Sequence, residues 1–259
     1  MQHTKRVVLI LGFALGLMGL FLYIPSLFFI PPAEPLIKVE PITRSFPTAV
    51  MTLKTGQNYK YRLVCYHLEP NLSNRTLGKF LWPVRKRIGT PLHGEVIVKE
   101  EISHTVKDLV YTGKEPYYIV ETHQRNRIFY PSPKEFNFKG RLYLHANTGK
   151  ILKIELPGTD PSILTGTDAL YVVSVFNFFA PWYLELRKDF AISMRFGQDY
   201  ISAKVAGIGR IEGKDCFKVV ATSSAIPCGA VIIQWVDVST RTAVRQYLVY
   251  GGRIYRDFY

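Results

Sequence analysis

Cysteine is scarce in this chain, with Cys65, Cys216 and Cys228 the only three among 259 residues. An odd number cannot pair fully within one chain, and a chain this long folds without staples, so a disulfide framework is excluded. If Cys216 and Cys228 flank a hairpin turn, their strand registers place them poorly for bonding each other, and free thiols in β core positions are expected. Metal-ligand spacing is also missing. His67, His93, His104, His123 and His145, besides His3, lie far apart with no short-range second ligand, so no metal is expected. No Gly-x-Ser-x-Gly elbow and no local Cys and His pairing singles out a nucleophile. No catalytic residue and no cofactor is nominated, and the chain has no internal repeat or low-complexity tract.

Acidic residues are the second shortage. Lys5 and Arg6 precede an uncharged run; without them the remainder keeps 31 basic residues against 20 acidic ones, a formal +11. Such a charge selects anionic neighbours. Beside a bilayer these are lipid headgroups or a cell-envelope polyanion, and nucleic acid is not expected as a partner.

What the chain does have is one long apolar run. Residues 1–6 form a short basic N-terminus, and Val7 to Ile30 are 24 residues without a charge. A helix of that length spans about 36 Å, enough to cross a hydrocarbon core of about 30 Å. A cleaved signal peptide is the alternative, but the run exceeds the usual apolar length and no small-x-small site follows Ile24-Pro25-Ser26-Leu27. Residues 7–30 therefore read as an uncleaved transmembrane anchor. Lys5 and Arg6 on one side tie with Lys38 and Arg44 on the other, while Glu34 and Glu40 tip the orientation to a cytoplasmic N-terminus. That places a single-pass membrane protein's domain outside the cytoplasm, in a periplasm or at a cell surface.

Pro31, Pro32, Pro35, Pro41 and Pro47 mark residues 31–49 as an extended spacer, leaving 50–259 as the folded domain. There the dominant period is two. Leu152, Ile154 and Leu156 alternate with Lys153 and Glu155, and Phe190, Ile192, Met194 and Phe196 alternate with Ala191, Ser193 and Arg195. Further strands are expected at Tyr59 to His67, Gly94 to Ile102, Tyr117 to His123, Arg141 to His145, Ile201 to Ile208, Cys216 to Thr222, Ala230 to Asp237 and Ala243 to Tyr250. Short turns at Asn147-Thr148-Gly149 and Glu212-Gly213-Lys214 imply antiparallel neighbours. Asp168 to Phe179 breaks the pattern: Asp168 suits an N-cap, and Leu170, Val173, Phe176 and Asn177 recur at helical spacing, although β-branched residues keep a strand reading open.

Gly207-Ile208-Gly209-Arg210-Ile211-Glu212-Gly213-Lys214 invites a phosphate-loop reading and fails it, since Glu212, Ile208 and Asp215 stand where the two known patterns need other residues. A glycine-punctuated strand and turn is the better account. Lys79, Trp82, Arg85, Lys86 and Arg87 mix charge with an aromatic, which suits headgroup or polyanion contact or, equally simply, a solvated loop. Phe176, Phe178, Phe179, Trp182 and Tyr183 crowd five aromatics into eight residues, either as core or as the lining of an apolar ligand site.

The C-terminal half resembles the bacterial cell-envelope family called domain of unknown function 3108, itself similar to lipoprotein-carrier proteins. The resemblance runs through the hairpin Leu142 to Leu156, Asp160-Pro161 and the apolar segment Asp168 to Phe179. It continues in Gly213-Lys214-Asp215-Cys216-Phe217-Lys218-Val219 and in Gln234-Trp235-Val236-Asp237-Val238-Ser239-Thr240-Arg241-Thr242-Ala243-Val244-Arg245. It implies a mainly β fold, a curved antiparallel sheet or half-barrel around one central helix, with an apolar ligand and no catalytic residues. The expectation is a non-enzymatic, membrane-tethered domain binding a lipid or other apolar ligand. The alternative is an envelope interaction module docking a partner protein or anionic polymer through a basic face.

Overall fold

A computed structural model describes residues 31–68, 94–130, 132–155, 179–196, 199–224, 226 and 228–259. Twelve strands carry it: β1 (Val39–Glu40), β2 (Asn58–Tyr66), β3 (Val96–Thr112), β4 (Glu115–Ile128), β5 (Lys134–His145), β6 (Ile151–Glu155), β7 (Ala191–Phe196), β8 (Asp199–Ile211), β9 (Lys214–Ser223), β10 (Val231–Asp237), β11 (Ala243–Tyr250) and β12 (Arg253–Phe258). They form one open antiparallel sheet in the order β1-β8-β9-β10-β11-β12-β2-β3-β4-β5-β6, with β7 paired to β8. β12 against β2 joins the two runs of consecutive strands, through Arg256 opposite Cys65 and Phe258 opposite Leu63. Each expected strand is present, several longer than the pattern suggested.

The alternation of the strands sorts side chains onto two faces. On the inner face a single buried cluster takes Tyr59, Tyr61 and Leu63 from β2, Val120 from β4, Leu142 and Leu144 from β5, Phe217 and Val219 from β9, and Phe258 from β12. Both wings of the sheet thus share one core. Met51, Leu53, Phe179, Tyr183, Leu184 and Leu186 complete it from outside the strands. A second, smaller cluster sits on the outer face of β9 to β12, where Trp235, Tyr247, Val249 and Ile254 pack with Ile37 and Val39.

Residues 31–49, expected as a spacer, lie along the sheet instead. Ala33 bridges Arg253, the Ile254 amide donates to the Pro32 carbonyl at 2.8 Å, and Val39 pairs with Gly209. Ile42 is buried and Phe46 packs edge-on against Phe217 at 5.0 Å. The prolines are compatible with this course because such an edge segment needs few backbone donors. The glycines that suggested a phosphate loop make room for it. A Cβ at Gly209 would lie 2.7 Å from the Trp235 ring and 2.9 Å from the Lys38 carbonyl oxygen. Glu212 and Gly213, at φ 49° and 78°, form the tight β8–β9 turn.

The two helices expected from sequence, over 7–30 and 168–179, lie outside the described residues except for Phe179, which is not helical. Among the described residues the helical element is a 3-10 turn, Pro181–Glu185, and no helix is long and apolar enough to cross a membrane. Cys216 is buried, Cys65 is half-buried and Cys228 is exposed, all as free thiols; Cys228 thus departs from the expected core position. Cys216 pairs in register with Asp237 at one end of the β9–β10 hairpin, whereas Cys228 belongs to the connection at the other, so the two cannot meet.

Candidate functional site

Of the five aromatics expected near a ligand, Phe176 and Phe178 lie outside the described residues. The other three are packed. Phe179 and Tyr183 are 6% and 1% exposed, and Trp182 stacks on Phe190 at 5.7 Å while meeting Tyr183 edge-on at 4.4 Å. The Tyr183 hydroxyl accepts from Gln246 Nε2 at 3.3 Å, and burial pushes its acidity well below that of a free phenol. This cluster closes the inner face beside β11. The headgroup or polyanion set, Lys79, Trp82, Arg85, Lys86 and Arg87, lies outside the described residues.

A different basic surface is built on the outer face of β2 to β5. Register places Lys60, Ser103, His123 and Lys139 in one row across the four strands, and Arg62, Glu101, Arg125 and Asn137 in the next. Neighbouring strands are about 4.8 Å apart, so the rows bring these groups within about 15 Å. Together with Tyr259, whose backbone pairs with Arg62, they line an open trough of about 850 Å³.

The ion pairs flank this trough. On one side Glu135 takes Arg125 at 2.6 Å and Arg127 at 3.2 Å; on the other Glu121 takes Lys107 at 3.0 Å and Arg141 at 3.1 Å. These cations hold both carboxyls below the usual range, through hydrogen bonds led by Arg125 and Lys107 respectively. Lys60, Arg62 and Lys139 in the middle make no ion pair among the described residues. Glu101 is the one carboxylate side chain lining the trough. The signal for this surface was present in sequence as basic residues two apart, Lys60 with Arg62, Arg125 with Arg127 and Lys139 with Arg141, which period two stacks on one face.

The inner face of the same strands is polar where a core is normally apolar. Glu100, His104, Thr122, Gln124 and Asn126 are all buried there. His104 Nδ1 lies 2.8 Å from Thr122 Oγ1, and burial lowers its pKa to about 3, so it is a neutral core histidine. Gln124 Nε2 donates to Glu100 Oε2 at 3.0 Å. Burial raises the Glu100 pKa, opposed by the charge of Arg256 on β12 and by the Gln124 hydrogen bond. Asn126 is fully buried, and neither its Oδ1 nor its Nδ2 has a hydrogen-bond partner.

The histidines do not converge. His123 faces outward in the trough, and His145 Nδ1 accepts from the Thr148 amide at 3.1 Å in the β5–β6 turn. Among the described residues no three His, Cys, Asp or Glu side chains come together as a metal site. No family model, no curated protein and no solved structure matches the chain.

Proposed function

We propose that this chain is a non-enzymatic binding domain, tethered to a membrane by residues 7–30 and lying outside the cytoplasm, that docks an anionic polymer of the cell envelope in the outer trough of β2 to β5. One observation carries the reading: Glu121 and Glu135 are drawn to the flanks of this face, so that Glu101 is the one carboxylate side chain among its cations and Lys60, Arg62 and Lys139 make no ion pair among the described residues. Unpaired cations side by side repel one another, and an anionic partner relieves that repulsion while releasing counterions. The acidic face of an envelope protein is the competing occupant. The alternative use of the domain, holding a lipid or other apolar ligand against the inner face of a half-barrel with a central segment at 168–179, draws its support from the buried polar residues around Asn126 rather than from Phe179 and Tyr183, which serve as core.

The test is binding of a fluorescent polyphosphate chain to the full-length protein in detergent, measured against salt, with uncharged dextran as control. Affinity should fall steeply with salt, and Lys60→Glu with Lys139→Glu should weaken binding about tenfold or more without shifting the melting temperature. Equal binding by the double variant would remove the trough from the proposal.

A further inference from the structure

On the inner face Glu100 stands between Leu63 and Asn126 in register, and Arg256 stands beside Cys65 in the adjacent row. Glu100 is 2% exposed and Arg256 is half-buried. They are close enough for the Arg256 charge to act on the Glu100 carboxyl and on the Cys65 thiol, which burial pushes up to about 11. Yet they do not pair: no Arg256 nitrogen lies within ion-pair distance of a carboxylate among the described residues. Asn126, next to Glu100, adds one donor and one acceptor, both buried and both without a partner.

A buried amide is ordinarily satisfied, and an orphaned one marks a missing partner. Water would serve Asn126 but would leave the two opposite charges apart. A simple anion would suit Arg256 and be repelled by an ionised Glu100; a simple cation would suit Glu100 and be repelled by Arg256. The group that satisfies all three carries both signs. The geometry points to a zwitterion-binding site on the inner face, in which Glu100 receives an ammonium, Arg256 an anionic group a few ångströms away, and Asn126 the polar atoms between them.

Phosphoethanolamine has this chemistry, either as a phospholipid headgroup or as the free glycerol diester. Leu63, Val98 and Ile102 are buried beside these polar groups, which keeps the charges in apolar surroundings where each is felt strongly. The site is separate from the outer trough and does not depend on it.

The experiment is native mass spectrometry of the full-length chain in dodecyl maltoside, offered dioleoyl phosphatidylethanolamine, dioleoyl phosphatidylglycerol and glycerophosphoethanolamine. A one-to-one ethanolamine adduct is expected, with the glycerol lipid bound at least tenfold more weakly. Competition by glycerophosphoethanolamine assigns the site to the free zwitterion, and its failure to compete assigns it to the lipid; either supports the proposal. Glu100→Gln should lose the preference for ethanolamine, which lipid bound merely around the anchor would not do. Asn126→Leu should keep or raise the melting temperature while weakening the adduct about tenfold. Equal binding of the two lipids by the unaltered chain, absence of any ethanolamine adduct, or an unchanged preference in Glu100→Gln overturns the site.

Discussion

The guanidinium of Arg241 donates to the carbonyl of Leu186 at 2.8 Å, and also reaches the carbonyls of Tyr183 and Pro47 at 3.4 Å. Arg241 is 2% exposed, sits in the left-handed region at φ 58°, and lies over the Phe217 ring at 4.8 Å. Asp237 shapes the turn that presents it, its Oδ1 accepting from the Ser239 amide at 2.7 Å and the Thr240 amide at 3.2 Å. One side chain in the β10–β11 turn therefore fastens two non-strand segments onto the inner core.

Arg241→Lys should cost about 2 to 4 kcal/mol, because an ammonium cannot reach three carbonyls from one plane and leaves some of them buried without a donor. Chemical denaturation checks this: the midpoint should fall with the slope unchanged. A loss below about 1 kcal/mol would mean that the carbonyls find other partners.

Two glycines of one near-motif should respond differently. Gly209→Ala forces a Cβ against the Trp235 ring and the Lys38 carbonyl, and should cost about 1 to 3 kcal/mol. At Gly213 a Cβ meets open space, so Gly213→Ala should cost about 1 kcal/mol through its φ of 78° alone. Thermal unfolding of the two variants decides it, and a larger loss at Gly213 would contradict the close approach of residues 31–40 to the sheet.

His104 predicts a pH dependence. Its folded pKa is lowered to about 3 from an ordinary 6.5 by burial, so on acidification the unfolded chain takes up a proton that the folded chain refuses. The stability is complete above about pH 6.5 and is lost as the pH falls toward 3; from pH 6.5 to 5 the loss is about 2 kcal/mol. Glu100 acts in the opposite sense, since its raised pKa makes ionisation costly as the pH rises. The readout is therefore the difference between the unaltered chain and His104→Gln across pH 5 to 7, where the variant should show a flatter acid limb.

Thiol labelling of the native protein should modify Cys228 at once, and Cys65 and Cys216 only on unfolding, since both are held among core residues and burial pushes the Cys216 thiol up to about 12. Rapid modification of all three would show that the β9 core is open in solution.

The strands of the C-terminal half were legible because one phase of each is apolar: Phe217 and Val219, or Ile233 and Trp235, announce a buried face. β3 was legible only in its first part. Beyond Ile102 its inner phase carries His104, and its partner β4 carries Thr122, Gln124 and Asn126, so polar residues occupy both phases and the alternation disappears. β12 does not stand out in the sequence because Arg253, Arg256 and Asp257 break its short apolar set. The prolines of residues 31–49 point to a spacer, whereas the few apolar side chains there, Ile37, Val39, Ile42 and Phe46, are the ones that pack. The basic trough was written as pairs two residues apart, but only the register of four strands shows that the pairs adjoin. Nothing local in sequence shows that Glu100 and Arg256, 156 positions apart, share a face.

The course of residues 31–40 decides how the domain would bear force. A pull transmitted through residue 30 enters the fold at Pro32 and Ala33, against the start of β12, and must strip this segment from the outer face before it reaches Val39 and Glu40 at β8. The load is then carried a few contacts at a time, like a peeled tape, until it meets Ile42 and Phe46, which are held in the shared core. A force applied in this way would yield first along residues 31–40, before it disturbs the strands of the β2 to β5 wing.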